Sequence, residues 1–347
     1  PGTERERLLA AIWAELLGVE EVGLDDDFFL LGGDSILSIQ VVSRARAAGL
    51  ALSPRDLFRH PTVAALAAAA GSAVTVAGTE PVSGEVPLTP VQHWFLDPNP
   101  PYAAEFDQSV VVQAPGAVDP RALRRALAAL WAHHDALRAR FVRTADGGWQ
   151  QHVAPAEETA PELLEVHDQA DEAAVTAAAH ASFRLDGGPL LTARLLVPTP
   201  TAAADGTRPA RLLLAVHHLV VDGVSWRVLL EDLETAYRQA VEGRPLRLPA
   251  RTSSVREWAG RLAEHTAAGG FDGQRAHWAA AARACARPLP VDGDGSNTAA
   301  DLREVTVRLD RARTDALLRE VPAVYRTRIL VQDGGQVGRL LLVVRRL

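Results

Sequence analysis

The strongest constraint on the fold is a change of pattern across residues 72–85 (SAVTVAGTEPVSGE), a small, polar stretch carrying Pro and Gly and lacking a helical stripe. Before it, apolar residues recur at helical spacing in short runs. After it, strand-like runs alternate with helical ones. This predicts a helical domain over 1–71, a linker over 72–85 and an α/β or α+β layer fold from 86 onward. With 347 residues, each part is long enough to bury its own core.

The first part reads as four short helices. TERERLLAAIWAELL (3–17) has a capping-box pair in Thr3 and Glu6, an apolar stripe through Leu9, Ile12, Trp13, Leu16 and Leu17, and Gly18 as its stop. Ser35 opens a second helix with Ile36, Ile39, Val41 and Val42 on its apolar side. Ser53-Pro54 and Pro61-Thr62 start two more, giving a small bundle.

In the second part, FDQSVVVQ (106–113), LLTARLLV (190–197), RLLLAVHH (211–218) and DLREVTVRLD (301–310) read as strands. RLLLAVHH is apolar almost throughout, as a central strand covered on both faces should be. DPRALRRALAALWAHH, with Asp119 as N-cap and Pro120 at N1, and SWRVLLEDLETAYRQAVEG, closed by Gly243, read as long helices. Further helices are expected near 253–266 and 272–286.

Composition removes several functions. A net charge of −7 gives no basic stripe for nucleic acid. No run reads as a membrane span and no leader-like segment opens the chain, while the single cysteine makes a cytoplasmic setting the default expectation. The sequence contains no lysine, which excludes a pyridoxal Schiff base and a P-loop lysine. Cys285 is the only cysteine, so no internal disulfide forms; in the Ala-rich run AARACAR it reads as a buried structural thiol. The absence of methionine, with Pro1 first, gives the expectation of a piece of something longer. No metal site is read.

Two motifs carry chemistry. In DDDFFLLGGDSILS, a serine after Gly-Gly is by itself a helix N-cap, yet Ser35 at a helix start lies where N–H groups and the helix dipole favour a phosphate. In HHLVVDGVSW (217–226), adjacent histidines on a strand point to opposite faces, so only one of them can serve a given cleft. His218, at the strand end, is the candidate for proton transfer, and His217 is its structural neighbour. Asp222-Gly223 reads as a turn, with Asp222 as an orienting or ion-paired group.

The stretch Asp25–Ser38, with Phe28 inside it and LSPRDLFRHPTVAALA downstream, resembles the phosphopantetheine site of peptidyl carrier (thiolation) domains of nonribosomal peptide synthetases. The resemblance implies a covalent 4'-phosphopantetheine on Ser35, with Gly33 and Asp34 beside it. The GGDS form is similar to carriers that feed epimerization domains. PLTPVQHWFL (87–96), HHDALRARF (133–141) and HHLVVDGVSW resemble motifs of the condensation and epimerization superfamily, and Trp226 follows the epimerization branch.

This implies a chloramphenicol-acetyltransferase-like lobe over 86–328, one of two around a tunnel that admits the pantetheine arm. His218 would transfer a proton at Cα of an aminoacyl or peptidyl thioester, Arg138 would pair with Asp222, and a glutamate of a second lobe would complete L-to-D epimerization. Taken without the resemblance, Arg138 reads as a solvated helix-end cation.

Implied partners are a phosphopantetheinyl transferase, upstream adenylation and condensation domains and a downstream module. The tail 329–347 departs from the family pattern, ends in an apolar run expected as a stray strand, and leaves the second lobe unaccounted for. The chain is accordingly expected to act as a carrier and to lack robust epimerase activity. The alternatives are a condensation domain, which shares the histidine motif, and a non-catalytic carrier with a relic docking lobe.

Overall fold

A computed structural model describes residues 2–72, 80–100, 102–114, 116–168, 171–198, 209–286, 309–321, 324, 327–333 and 340–346. It divides into two compact units, one formed by 1–82 with 224–254 and the other by 83–223 with 255–347.

The first unit begins with four helices, α1 (Glu4–Leu17), α2 (Ser35–Ala47), α3 (Pro54–Arg59) and α4 (Val63–Ala69). Thr3 and Glu6 form the capping box of α1, and Gly18 closes it in the left-handed region at φ 66°, where glycine carries no Cβ penalty. One apolar core joins the four, through Leu9 and Trp13 of α1, Val41 and Val42 of α2, Leu57 of α3 and Leu66 of α4, around Phe28. Ile39, expected on the apolar side of α2, is instead 38% exposed, because the buried stripe runs through Ser38, Val41, Val42 and Ala45. A two-residue pairing of β1 (Leu50–Ala51) with β2 (Gly71–Ser72) ties the end of the bundle to its middle. The same unit takes in the helix Ser225–Val241, and Arg44 forks between Glu15 and Glu231.

The second unit starts inside the expected linker, with β3 (Gly84–Val86), and continues with α5 (Pro90–Leu96), β4 (Asp107–Gln113), α6 (Pro120–His133), β5 (Ala139–Arg143), β6 (Trp149–Val153), β7 (Leu164–Asp168), α7 (Glu172–His180), β8 (Leu191–Val197) and β9 (Arg211–His217). Strands β3, β6 and β5 form a three-stranded antiparallel sheet. The order β4-β9-β8-β7 forms the larger sheet, with β7 parallel to β8 and the other pairs antiparallel. Strand β9 is interior, and six of its seven residues are buried, which accounts for its continuous apolar sequence.

Helices Val255–Ala267 and Arg275–Ala284 follow. Cys285 caps the latter and is exposed, which overturns the buried-thiol expectation: that helix contributes no buried residue, so its Ala-rich run is no sign of a core. Most of the strand expected at 301–310 lies outside the described residues. The tail gives two strands rather than one, Thr327–Asp333 paired antiparallel with Leu340–Arg346.

Candidate functional site

Ser35 is the first residue of α2 and is exposed. The loop that presents it is built by close packing. Gly32 sits at φ 101°, and a Cβ on Gly33 would lie 2.4 Å from the Phe28 ring and 2.6 Å from its carbonyl oxygen. Phe28 is fully buried, against Trp13 at 5.0 Å and Phe29 at 5.3 Å between ring centroids, and Gly33 N–H donates to its carbonyl at 2.9 Å. The second glycine is therefore required for contact with the core. Asp34 caps the helix, its Oδ1 accepting from Leu37 N–H at 2.7 Å. The buried Ser38 hydroxyl donates to the Ser35 carbonyl at 2.6 Å, so the turn bearing Ser35 is fixed from beneath while its own side chain remains at the surface.

His217 ends β9 and His218 follows it at the start of the turn, the first ring meeting Phe183 and the second Phe106. His217 is fully buried. Its Nε2 lies 2.7 Å from the Ala103 carbonyl, so Nε2 carries the proton, and Nδ1 accepts from Leu219 N–H at 3.2 Å. That pattern fits only the neutral ring, and burial lowers the His217 pKa below the ordinary histidine value. Asp107, its register partner on β4, is buried and bonded at 2.6 Å to Nδ1 of His180 on α7. The hydrogen bond to Asp107 raises the His180 pKa, favouring its charged form beside the neutral His217 ring.

His218 is half-buried. Its main-chain N–H donates to the Phe106 carbonyl at 2.8 Å, extending the β4–β9 ladder by one bond. Its ring stacks on Phe106 at 5.0 Å, and Phe106 stacks on Phe95 of α5 at 4.7 Å. Nδ1 lies 2.8 Å from the Val221 carbonyl, which can only accept; Nδ1 is thus the donor and Nε2 bears the lone pair. Gln108 of β4 meets Nε2 at 3.1 Å through its amide nitrogen. The loop beyond is held by Gln92, a buried residue of α5 whose amide reaches the Leu219 carbonyl at 3.4 Å.

Arg138 is 1% exposed, so the solvated-cation reading fails. Its guanidinium donates to the Ala132 carbonyl at 2.6 Å, the Ala154 carbonyl at 2.9 Å and Asp135 at 2.8 Å, stitching the end of α6 to β6. Asp222 and Gly223 are exposed in the turn before the Ser225–Val241 helix, and Trp226 is buried in its first turn. Two cavities of about 180 and 140 Å³ lie by Arg124 and by Arg138. The sequence reading missed Phe106, Asp107, Gln108 and His180. The available signal was the polar pair Asp-Gln opening a strand whose centre is Val110, Val111 and Val112.

A family model described as "Condensation domain" matches residues 82–329, and one described as "Phosphopantetheine attachment site" matches residues 7–70. Two subunits of the linear gramicidin synthase of Brevibacillus parabrevis are similar to this chain, one 40% identical over 95% of it and the other 41% identical over 93%. The chain spans 6% of the length of each of these relatives. Among solved structures, the epimerization domain from the third module of tyrocidine synthetase B is 28% identical with a TM-score of 0.57, covering 72% of this chain and 57% of that one.

Proposed function

Since the chain belongs to the condensation domain family and bears a phosphopantetheine attachment domain ahead of it, we propose that it carries an aminoacyl or peptidyl thioester on Ser35 of the carrier and presents it for L-to-D epimerization at Cα. The residues around Ser35 fit the cofactor: an exposed hydroxyl at a helix start, beside glycines that keep bulk away from it. Bound there, the arm supplies a thioester, which acidifies the adjacent Cα–H. The phosphopantetheinyl transferase, the upstream adenylation and condensation domains and the downstream module are its proposed partners.

The observation that carries the catalytic part is the bonding of His218. With Nδ1 committed to Val221, Nε2 alone can act as a base, and ring stacking together with the β4–β9 ladder fixes its direction. In the proposed step the substrate displaces the Gln108 amide from Nε2, Nε2 takes the Cα proton, the C–H electron pair moves into the thioester carbonyl as an enolate, and reprotonation from the opposite face inverts the centre. Asp222 orients the loop, in the pairing with Arg138 that the family resemblance implies, and a glutamate of the second lobe serves the opposite face. Similarity to an epimerization domain favours this reading over amide formation at the same histidine. The chain alone is proposed to load its carrier fully and to exchange the α-hydrogen poorly.

The test is intact-protein mass spectrometry after loading with a peptidyl-coenzyme A and a phosphopantetheinyl transferase in heavy water. Gain of the peptidyl-pantetheine mass followed by slow gain of one deuterium, prevented by His218→Ala, supports both halves, and rapid exchange overturns the proposed weakness of the lone chain. Mass gain without deuterium leaves a carrier beside an inactive lobe, and no mass gain overturns the carrier assignment.

A further inference from the structure

A base that takes a carbon-bound proton becomes a cation, and the groups around it must accommodate that charge. The contacts of the His218 ring divide by direction. Along its edge, Nδ1 meets the Val221 carbonyl and Nε2 meets the Gln108 amide. Against its face lies Phe106, with centroids 5.0 Å apart and planes 19° from parallel. The edge contact at Nε2 has to yield to the substrate, whereas a face contact leaves the lone pair open and stays in place as the proton moves.

The face contact is anchored twice. The Phe106 carbonyl accepts from His218 N–H at 2.8 Å, so main chain and ring join the same two residues. Phe95 of α5 stacks on Phe106 in turn, at 4.7 Å and 25°. All three rings are half-buried, which limits competition from water.

Titratable groups on the surrounding elements are otherwise engaged or at the surface. Asp107 is bonded to His180, His93 and Asp97 of α5 pair with each other, and the Ala103 carbonyl and Leu219 N–H hold His217 neutral. Glu105 and Asp222 are exposed. An aromatic face, by contrast, carries the negative side of the ring quadrupole and attracts a cation within about 6 Å of its centroid. Neutral imidazole gains dispersion from the same contact but not this attraction. The stack therefore favours the charged ring over the neutral one, and an interaction that strengthens along the reaction lowers its barrier.

We infer that Phe106 is a positioning residue of the base: its ring holds the plane of His218 and gains attraction for it as the charge develops. The inference rests on His218 being the base proposed above. It adds to the fixed direction of Nε2 a share in the energetics of proton transfer, exerted through His218 and not on the substrate.

The test uses the whole chain with ¹⁵N-labelled histidine, the His218 signals being assigned by their loss in His218→Ala. Phe106 is replaced site-specifically by its 4-fluoro, 3,5-difluoro and 3,4,5-trifluoro analogues, which drain the ring face of electron density with little change of shape. The protonation midpoint of His218 should fall stepwise with each added fluorine, and by about half a pH unit in Phe106→Leu. A midpoint that stays constant across the fluorinated series overturns the inference even where Phe106→Leu shifts it, because packing alone does not respond to ring electronics.

In the deuterium-exchange assay the same series makes the base weaker. The rising limb of the pH–rate profile should move to lower pH while the plateau falls, by about threefold in Phe106→Leu, with carrier loading unchanged. Exchange that depends on His218 but keeps its plateau across the fluorinated series overturns the role of Phe106 and spares His218. Exchange that persists in His218→Ala overturns the assigned base, and the titration then still decides the Phe106 contact.

Discussion

The carrier serine and the histidine pair sit at the ends of regular elements in different units, yet they are built in opposite ways. The Ser35 turn is local: Phe28, Gly32, Gly33, Asp34 and Ser38 all lie within eleven residues, and what they accomplish is exposure of one hydroxyl on a rigid base. The His218 site is assembled from α5, the start of β4 and the end of β9, with α7 supporting the other face through His180. Here the structure fixes the proton on one nitrogen and the lone pair on the other. A covalent attachment site needs an accessible nucleophile, whereas a proton-transfer site needs a defined tautomer, and the second demand draws on residues far apart in the chain.

The largest expected effect separates the two sites outright. Ser35→Ala should abolish gain of the pantetheine mass, while His218→Ala should load like wild type, both read by intact mass. Loading that falls with His218→Ala would break the independence of the two functions.

Next come the supports. Phe28→Ala removes a fully buried ring from the carrier core and should cost about 3–5 kcal/mol. Arg138→Met leaves Asp135 and two carbonyls, of Ala132 and Ala154, without their shared donor and should cost about 3 kcal/mol or more in the second unit. Residue-resolved hydrogen exchange checks both: the first should open residues 4–69 and the second the β5–β6 region, each leaving the other site protected. Gly33→Ala should cost less, about 1–3 kcal/mol, because Phe28 must shift to admit a methyl group. A neutral Gly33→Ala in chemical denaturation would show that the glycine is retained for access to Ser35 and not for packing.

This difference in construction also decides what the sequence disclosed. The four helix starts were legible because caps and apolar stripes are local signals: Thr3 with Glu6, Ser53 before Pro54, and Thr62 before Val63 appear as caps in the structure. Strand β9 was legible because a central strand is apolar on both faces. The partners of the histidines were not, since nothing in FDQSVVVQ says that Asp107 will meet His180 or Gln108 will meet His218; register and helix placement decide that. Arg138 was misread, taken without the resemblance, for a similar reason: a cation at a helix end is solvated by default, and nothing local announces the Ala154 carbonyl that meets it just beyond β6. Cys285 erred the other way, its helical run having no neighbour to cover it among the described residues.

The smallest effect concerns pH and tests whether the two histidines on the buried face work as a pair. His180 has its pKa raised, first by the hydrogen bond to Asp107, so its contribution is full below its unfolded pKa and lost as pH rises through the folded one. His217 has its pKa lowered, first by burial, so its contribution is full above its unfolded pKa and lost as pH falls through the folded one. The two conditions hold together only between the lowered His217 value and the raised His180 value, a window that brackets the ordinary histidine pKa of 6.5. The His180 side chain is 35% exposed, so solvent screens its charge and the alkaline edge should be the shallower one. Denaturation midpoints measured against pH should therefore show a maximum near neutrality for the second unit. His180→Gln should flatten its alkaline side alone, while leaving the acid side to His217. If His180→Gln removed both edges, His180 would be holding His217 in place through Asp107, and the pair would be one unit instead of two independent supports.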